Sequence, residues 1–391
     1  MYRLLTLNYN DNVGPTAEVR LAVLALIWVA GFLAFWKISL LAPGRKRNEN
    51  SPGESVSVII PARNEKHNLT RLLSSLAGQT RPPDEVIVVD DDSSDGTAEV
   101  ARSFKTRLIS PAKKPDGWLG KSWACWQGAL AAGGDTLVFL DADTWLASDA
   151  LASLLGEFRP TGGLLSVQPF HVMKSAYERL SAFFNAILFL NMNISWAFEA
   201  LNRPQGAFGP CLICRRPEYF SLGGHERTKD RILEDMTLGK SFRDAGSNLR
   251  CISGRGKVFF RMYPAGLRYL AEGWTKNFAS GAFSSNLPLF LFSFLWVTGC
   301  LSGASDLIKG LLAGNPAVFL AGAGLYAAFA AQVHWILRRL GNFGWPTAVF
   351  YIIPLIFFIL IFFRSLYHTY VLGRVSWKGR IITVRRTKPK S

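Results

Sequence analysis

Val86-Ile-Val-Val-Asp-Asp-Asp-Ser-Ser-Asp-Gly-Thr97 is the stretch on which the fold turns. Four apolar residues run into acids, and turn-forming Ser, Asp and Gly follow. The pattern recurs on both sides. Upstream stands Val56-Ser-Val-Ile-Ile-Pro-Ala-Arg-Asn-Glu65, and downstream Val138-Phe-Leu-Asp-Ala-Asp143. Short β-rich runs at Ser55–Ile60, Val86–Val89 and Thr136–Leu140 predict three strands. Between the first two, Leu69, Leu72, Leu73 and Leu76 keep the i, i+3, i+4, i+7 spacing of an amphipathic helix. Strands alternating with helices predict a parallel sheet and an α/β fold. Ligands of such sheets bind beyond the carboxyl ends of the strands. The polar residues just after each strand are therefore site candidates.

This domain extends over about 48–285, without internal repeats or low-complexity segments. The chain of 391 residues is 49% hydrophobic, 13% aromatic and only 18% charged. That composition excludes disorder over most of its length. Five scattered cysteines exclude a small disulfide-stapled scaffold. The net charge of +16 suits partners carrying phosphate or anionic lipid. No recognition motif accompanies that charge, so nucleic acid is not an expected partner.

The apolar residues gather at the two ends. Leu21–Trp36 has no charge, and Ile38–Ala42 prolongs it past Lys37. A run of about 20 apolar residues spans a bilayer, so residues 1–47 are expected to hold a membrane anchor at about 21–42. A cleaved signal peptide would carry its positive charges before the apolar run. Here Arg45, Lys46 and Arg47 follow it, which places the next domain on the cytoplasmic side. Three more candidate spans lie at about 287–304, 316–336 and 345–363, within a helical region at 286–364. Pro354 in the last is tolerable where neighbours satisfy the freed backbone. The tail, 365–391, holds Arg374, Lys378, Arg380, Arg385, Arg386, Lys388 and Lys390 and no acid. It is expected in the cytoplasm too. Three crossings from a cytoplasmic domain would end outside, so one segment must be re-entrant or interfacial. The expected location is the cell membrane, multi-pass, with the catalytic domain cytoplasmic.

The chemistry lies at the strand ends. Asp90 and Asp91 can accept hydrogen bonds from a base or a ribose. Asp141 and Asp143, alternate in sequence, can hold a divalent cation whose shell is completed by diphosphate oxygens. Magnesium typically takes one or two carboxylates plus substrate phosphates. A lone D-x-D is weak evidence; three strand-end motifs in this order are far stronger. They resemble the inverting glycosyltransferases of family 2 with a GT-A domain, a Rossmann-like mixed sheet binding a nucleoside-diphosphate sugar, over about Ser55–Lys240. The resemblance implies a uridine pocket at Pro61, Ala62, Glu65, Asp90 and Asp91. It implies diphosphate and metal (Mg²⁺ or Mn²⁺) at Asp141, Ala142 and Asp143, and a basic residue, Lys121, near the nucleotide. A snorkelling surface lysine is the plain alternative for Lys121.

Leu233-Glu-Asp-Met-Thr-Leu-Gly-Lys240 matches the family's Glu-Asp, with Glu234 beside Asp235 as general base. Adjacent acids at a helix start also simply complement the helix dipole. Many membrane-bound relatives then show Q/R-x-x-R-W. This chain has Leu270-Ala-Glu-Gly-Trp-Thr-Lys276, so Trp274 keeps the tryptophan while Gly273 replaces the arginine. Lys276 or Arg261 can supply that charge, and Trp274 can instead be an interfacial anchor. Further blocks, Gly163–His171 with Gln168, Gly206–Pro210, Gly223–His225, Phe260–Tyr263, Glu272–Lys276 and Trp377–Arg380, are similar to the bacterial diaponeurosporenoate glycosyltransferase subfamily. That likeness implies transfer of glucose from UDP-glucose to a carotenoid acid, with Gln168, Trp274 and Lys276 on the acceptor and diphosphate side.

Tyr177–Phe198, with ten large apolar residues from Phe183 onward, suits a lipophilic acceptor groove or an interfacial helix; an ordinary buried helix is the other reading. Cys211 and Cys214 lack the second pair that zinc would want. His171 and His225 are expected to be structural. The expectation is a membrane glycosyltransferase using a UDP-sugar and a lipophilic acceptor. Another lipid or a polysaccharide as acceptor, and a nucleotide-binding scaffold without chemistry, are the alternatives.

Overall fold

The computed structural model describes residues 17–42, 54–110, 113–281, 286–377 and 380–383. The Arg45–Arg47 cluster and the tail charges at Lys378, Arg385, Arg386, Lys388 and Lys390 lie outside the described residues.

The strand-end motifs sit on one sheet. Its members are β1 (Val56–Ala62), β2 (Glu85–Asp90), β3 (Arg107–Ile109), β4 (Thr136–Leu140), β6 (Leu164–Gln168), β8 (Cys211–Arg215) and β9 (Leu249–Ser253). Between these in the chain come β5 (Thr144–Leu146) and β7 (Phe170–His171), and after them β10 (Val258–Phe260). The seven-stranded sheet has the order β3-β2-β1-β4-β8-β6-β9, and only β8 runs against its neighbours. A small second sheet, β5-β10-β7, continues from the turn after β4. The first four strands form the parallel sheet expected from the sequence, and β4 is buried along its whole length. Burial on both faces explains its unbroken apolar run, Thr-Leu-Val-Phe-Leu.

Helix α1 (Ala17–Ala34) precedes the sheet, and α2 (Lys66–Ala77) buries Leu69, Leu72, Leu73 and Leu76 against it, as the spacing predicts. The others near the sheet are α3 (Thr97–Ser103), α4 (Gly120–Ala131), α5 (Ala150–Phe158), α6 (Ala182–Asn191), α7 (Arg216–Ser221), α8 (Glu234–Asp244) and α9 (Leu267–Gly281). After them come α10 (Leu287–Leu312), α11 (Pro316–Leu340), α12 (Gly344–Val349) and α13 (Ile352–Tyr367), which continues through a π-turn at His368–Leu372. A hairpin of β11 (Arg374–Trp377) and β12 (Arg380–Thr383) closes the described chain.

Helices α10 and α11 form an antiparallel pair held at close range by glycines. A Cβ on Gly310 would lie 2.3 Å from the Phe319 nitrogen, and one on Gly322 2.4 Å from that of Leu307. Small residues let helix backbones approach where no hydrophobic force distinguishes protein from lipid. Helix α1 lies along this pair: Trp28 Nε1 donates to Ala328 O at 2.9 Å and Arg20 pairs with Asp306 at 2.7 Å. Among the described residues, three helices are long and apolar enough to cross a membrane: Leu287–Leu312, Pro316–Leu340 and Ile352–Leu372.

Two expectations at the ends need correction. The apolar segment about 21–42 is not one helix. It ends at Ala34, and Leu40 bridges to Ser253, extending the sheet edge beside β9. Arg339 sets the stop, since its Nη1 donates to the carbonyls of Phe35 at 2.9 Å and Trp36 at 3.3 Å. Cations suit a helix C-terminus, where carbonyls lack partners. The segment about 345–363 is also broken, with α12 and α13 meeting at Phe350–Tyr351. Pro354 falls in the first turn of α13, where an N–H has no intrahelical partner to lose, so no kink arises.

Candidate active site

Strand ends β1, β2, β4 and β6 open into one cavity of about 1210 Å³. Its walls hold Pro61 and Ala62 at the end of β1 and Glu65 after it, Asp91 after β2, Asp141, Ala142 and Asp143 after β4, and Gln168 at the end of β6. Helix starts add Lys121 from α4 and Glu234 and Asp235 from α8, and α9 adds Trp274 and Lys276. Asp90 stands apart. It is 8% exposed and lies outside this lining, its Oδ1 accepting from Ser93 N at 3.3 Å to hold the loop. Asp91, one residue on, is the carboxylate that faces the cavity, with Arg63 Nη1 at 3.4 Å from Oδ2.

The loops are held in unusual backbone shapes. Asn64 has φ 52° and Asp92 φ 61°, both left-handed. Side chains fix them: Asn64 N donates to Ser93 Oγ at 2.9 Å, and Ser94 N to Asn64 Oδ1 at 2.9 Å. Such conformations persist only where the surroundings over-determine them. After β4 the chain turns sharply. Asp141 N donates to Pro210 O at 3.0 Å, and Thr144 returns N–H and O–H bonds to Asp141 O at 3.0 and 2.7 Å.

Lys121 ties the acidic groups together. Its Nζ lies 2.8 and 3.0 Å from the two Asp141 oxygens and 3.0 Å from Glu234 Oε1. It therefore points inward, and the snorkelling alternative fails. Burial raises Asp141, though Lys121 opposes it. Burial also works on Glu234, but the Lys121 ammonium overcomes it and holds that carboxyl below its ordinary value. Burial is likewise overcome at Lys121, which Asp141, Glu234 and Asp235 hold well above the usual lysine value. Asp235 makes no ion pair among the described residues, and Lys121 only partly offsets what raises it. Burial, then the Glu234 charge, pushes it up to about 7. Its Oδ1 accepts from Met236 N at 2.8 Å, and Gly209 leaves room for it, because a Cβ there would stand 2.5 Å from Oδ2.

The donor set fits a divalent cation in its chemistry. Asp141 and Asp143 offer hard oxygen ligands on the cavity wall, and such ions need only one or two carboxylates when phosphates complete the shell. Among the described residues no cluster of three or more acidic, His or Cys side chains makes a protein-only metal cage.

The part of the cavity beside α9 and α6 mixes polar and apolar groups. Trp274 is buried, stacks on Phe184 at 4.5 Å and donates to Ser181 Oγ at 3.0 Å. That removes the interfacial-anchor reading. Arg261 lines the cavity, but its Nε and Nη2 bond Glu178 Oε1 at 3.0 and 2.5 Å. Lys276 shares the cavity with Asp141 and Asp235. Helix α6 lies within Tyr177–Phe198. Most of it is buried against α10, α11 and α13, while Ile187, Leu188 and Asn191 line the cavity.

From there the cavity runs on between α10 and α13, past Phe290, Phe294, Val297, Thr298 and Leu301 on one wall and Phe358, Ile359, Phe362 and Phe363 on the other. Sequence reasoning missed these. An apolar span looks alike all round, so nothing marked the side facing a slot. Arg63 had a signal, standing inside the quoted Pro61–Glu65 block. Cys211 and Cys214 are free and buried in β8. His171 and His225 are buried, with Asn185 Nδ2 at 3.2 Å and Tyr219 Oη at 2.9 Å from their Nδ1 atoms.

Residues 57–203 match the family "Glycosyl transferase family 2". The chain is 35% identical over 365 residues to a 4,4'-diaponeurosporenoate glycosyltransferase of Staphylococcus haemolyticus, covering 91% of this chain and 96% of that protein. It is 35% identical over 337 residues to the protein of the same description from Staphylococcus aureus strain USA300, covering 85% and 89%. Among solved structures it is similar to a mannosyltransferase from Pyrobaculum calidifontis in complex with GDP-Man and Mn²⁺. That likeness has 19% identity and a TM-score of 0.49, covering 88% of this chain and 96% of that one.

Proposed function

The chain belongs to glycosyl transferase family 2 and is a glycosyltransferase, and from that premise we propose that it moves a hexose from a UDP-sugar to a long apolar acceptor ending in a carboxylate. The observation that carries this is the continuity of one cavity. It begins at the strand-end carboxylates and ends between apolar helices. A soluble acceptor would gain nothing from the second half.

In this reading the nucleoside lies over Pro61 and Ala62 beside Glu65 and Asp91. Asp141 and Asp143 would hold Mg²⁺ or Mn²⁺, which when bound neutralises charge on the departing diphosphate. Lys121 stands beside them as a fixed cation, holds the Glu234 carboxyl below its ordinary value and opposes the burial that raises Asp141. Lys276 takes the place of the absent motif arginine, because Arg261 is committed to Glu178. Preorganised charges of this kind cost no reorganisation during the reaction.

Asp235 faces the acceptor end. A carboxylate acceptor is already ionised and needs no base. Raised to about 7, Asp235 is partly neutral at neutral pH and can donate a hydrogen bond to such an acceptor, aligning its oxygen on the sugar carbon. The attack displaces the diphosphate from the opposite face, inverting that carbon. The carotenoid-acid acceptor follows the names of the staphylococcal relatives, and the glucosyl donor follows the subfamily likeness of the sequence alone.

The test is a donor and acceptor screen on detergent-purified protein. Release of UDP from one UDP-sugar, dependent on metal and on an apolar carboxylic acid, is expected, and Asp141→Ala and Asp235→Ala should abolish it. Asp235→Ala with UDP binding intact but no transfer separates an enzyme from a nucleotide-binding scaffold. Equal turnover with a water-soluble acceptor of the same end group would overturn the lipophilic reading.

A further inference from the structure

The last apolar segment begins and ends at the same side of the molecule. At its start, Gly341 bridges to His171 of β7, and Asn342 exchanges bonds with Met173 at 2.6 and 3.1 Å. At its end, Ser365 Oγ donates to Thr275 O of α9 at 3.1 Å. Both contacts belong to the sheet-bearing domain. Its middle lies deep among the other helices. Tyr326 Oη donates to Val349 O at 2.6 Å, and Tyr351 Oη to Cys300 O at 2.8 Å, halfway along α11 and α10. Residues 341–372 thus rise to that depth through α12, turn at Phe350–Tyr351, and descend as α13.

Helices α10 and α11 run the full length, with 26 and 25 residues, and the shorter α1, of 18, reaches up to Asp306 of α10. Helix α10 leaves the domain and α11 returns, with Gly303 against Tyr326 and Gly310 against Phe319 marking the antiparallel register. Helix α1 runs alongside α11, from Arg20 at the far end beside Asp306 to Phe35 at the near end beside Arg339. Their outer faces expose large apolar groups such as Leu26, Leu291, Leu295 and Leu320, and those of α13 expose Ile353, Ile356 and Leu360.

We infer that the chain crosses the membrane with α1, α10 and α11 only, and that residues 341–372 form a re-entrant hairpin whose α13 arm and α10 make a sideways entrance for the acceptor from the leaflet nearest the catalytic domain. The acceptor part rests on the function proposed above; the crossing count does not. After α1 sets the catalytic domain on one side, the two crossings of α10 and α11 return the chain to it, so Lys37, Arg338, Arg339, Arg374 and Arg380 share that side, as the positive-inside rule requires. Phe294 and Phe363, 61% and 63% exposed, stand at the mouth. From Phe290 to Leu301 the wall on α10 covers eleven residue steps, roughly 16 Å at ~1.5 Å each. The end group and about that length of tail are held, and the rest of a longer tail stays in lipid.

Single cysteines read by a membrane-impermeant thiol reagent in sealed vesicles decide the topology. Wild-type protein is the blank, because Cys125, Cys211, Cys214, Cys251 and Cys300 are all buried. Arg102→Cys marks the catalytic side, Ala313→Cys the α10–α11 turn and Val371→Cys the end of the hairpin. In vesicles where Arg102→Cys reacts, Val371→Cys should react too, and Ala313→Cys only after permeabilisation. Val371→Cys behaving like Ala313→Cys would overturn the inference. The entrance is tested with Thr298→Trp. Transfer to a long-tailed acid should fall at least tenfold while UDP affinity stays unchanged. Wild-type transfer by that variant would overturn the entrance. Failure of every protein, wild type included, to bind UDP would instead sink the function proposed above.

Discussion

Replacing Gly209 by alanine tests the placement of Asp235 with the smallest possible change. The new methyl would lie 2.5 Å from Asp235 Oδ2, 3.0 Å from Cγ and 3.1 Å from Cβ. Ordinary contact begins near 3.4 Å, so the carboxyl must retreat by about 0.9 Å. It cannot pivot freely, because Oδ1 is held by Met236 N at 2.8 Å. A misplacement of about 1 Å at a reacting group costs roughly 100-fold in rate, or about 2.7 kcal/mol of barrier. Gly209 is not in the left-handed region, so alanine imposes no backbone strain there. Expected results are a kcat about two orders of magnitude lower, unchanged UDP affinity by calorimetry, and a melting temperature within a few degrees of wild type. A kcat within threefold of wild type, with the fold intact, would refute the assignment of Asp235 to the acceptor. The matching change Gly120→Ala is the internal control: its methyl would stand 2.5 Å from Asp91 Oδ2, so it should weaken UDP binding instead.

Lys121→Met removes the ammonium between Asp141 and Glu234 and should lower transfer by at least 100-fold, measured as UDP release at saturating donor. Gly310→Ala drives a methyl to 2.3 Å from the Phe319 nitrogen and should destabilise the α10–α11 pair by about 1–3 kcal/mol, read by thermal unfolding in detergent. Phe184→Ala empties the stack on Trp274 and should cost about 3–5 kcal/mol by the same assay. Acid should act through His171 and His225, which burial pushes down to about 4. Above about 6.5 both are neutral, folded or unfolded. Between about 6.5 and 4 only the unfolded chain takes up the protons, so stability falls with pH by roughly 3 kcal/mol per histidine. Denaturant midpoints at pH 7 and 5 check this, and His225→Asn should flatten the slope.

The strand-end acids were legible because an α/β sheet delivers its carboxyl ends to one crevice whatever else the chain does. Asp91, Asp141 and Asp143 were found from apolar runs that stop at a charge, and Asp235 from its place in the motif order. Register still mattered at one position. Asp90 and Asp91 are equivalent on paper, but the last residue of β2 turns its side chain to the loop and the next one to the cavity.

At the membrane end the sequence determined composition and little else. Hydropathy shows that 345–363 is apolar; whether it crosses depends on where its two ends are held, by Asn342 on Met173 and Ser365 on Thr275, contacts between residues roughly 90–170 apart in sequence. Likewise Arg261 and Lys276 are both plausible cations until Glu178, buried 83 residues away, claims the first. Periodicity reports which residues leave water together, because that is a local property of a helix or strand. Which of them then meet is settled by packing between distant segments, and only the tertiary structure decided the cavity's apolar half and where the two ends of the last apolar segment are held.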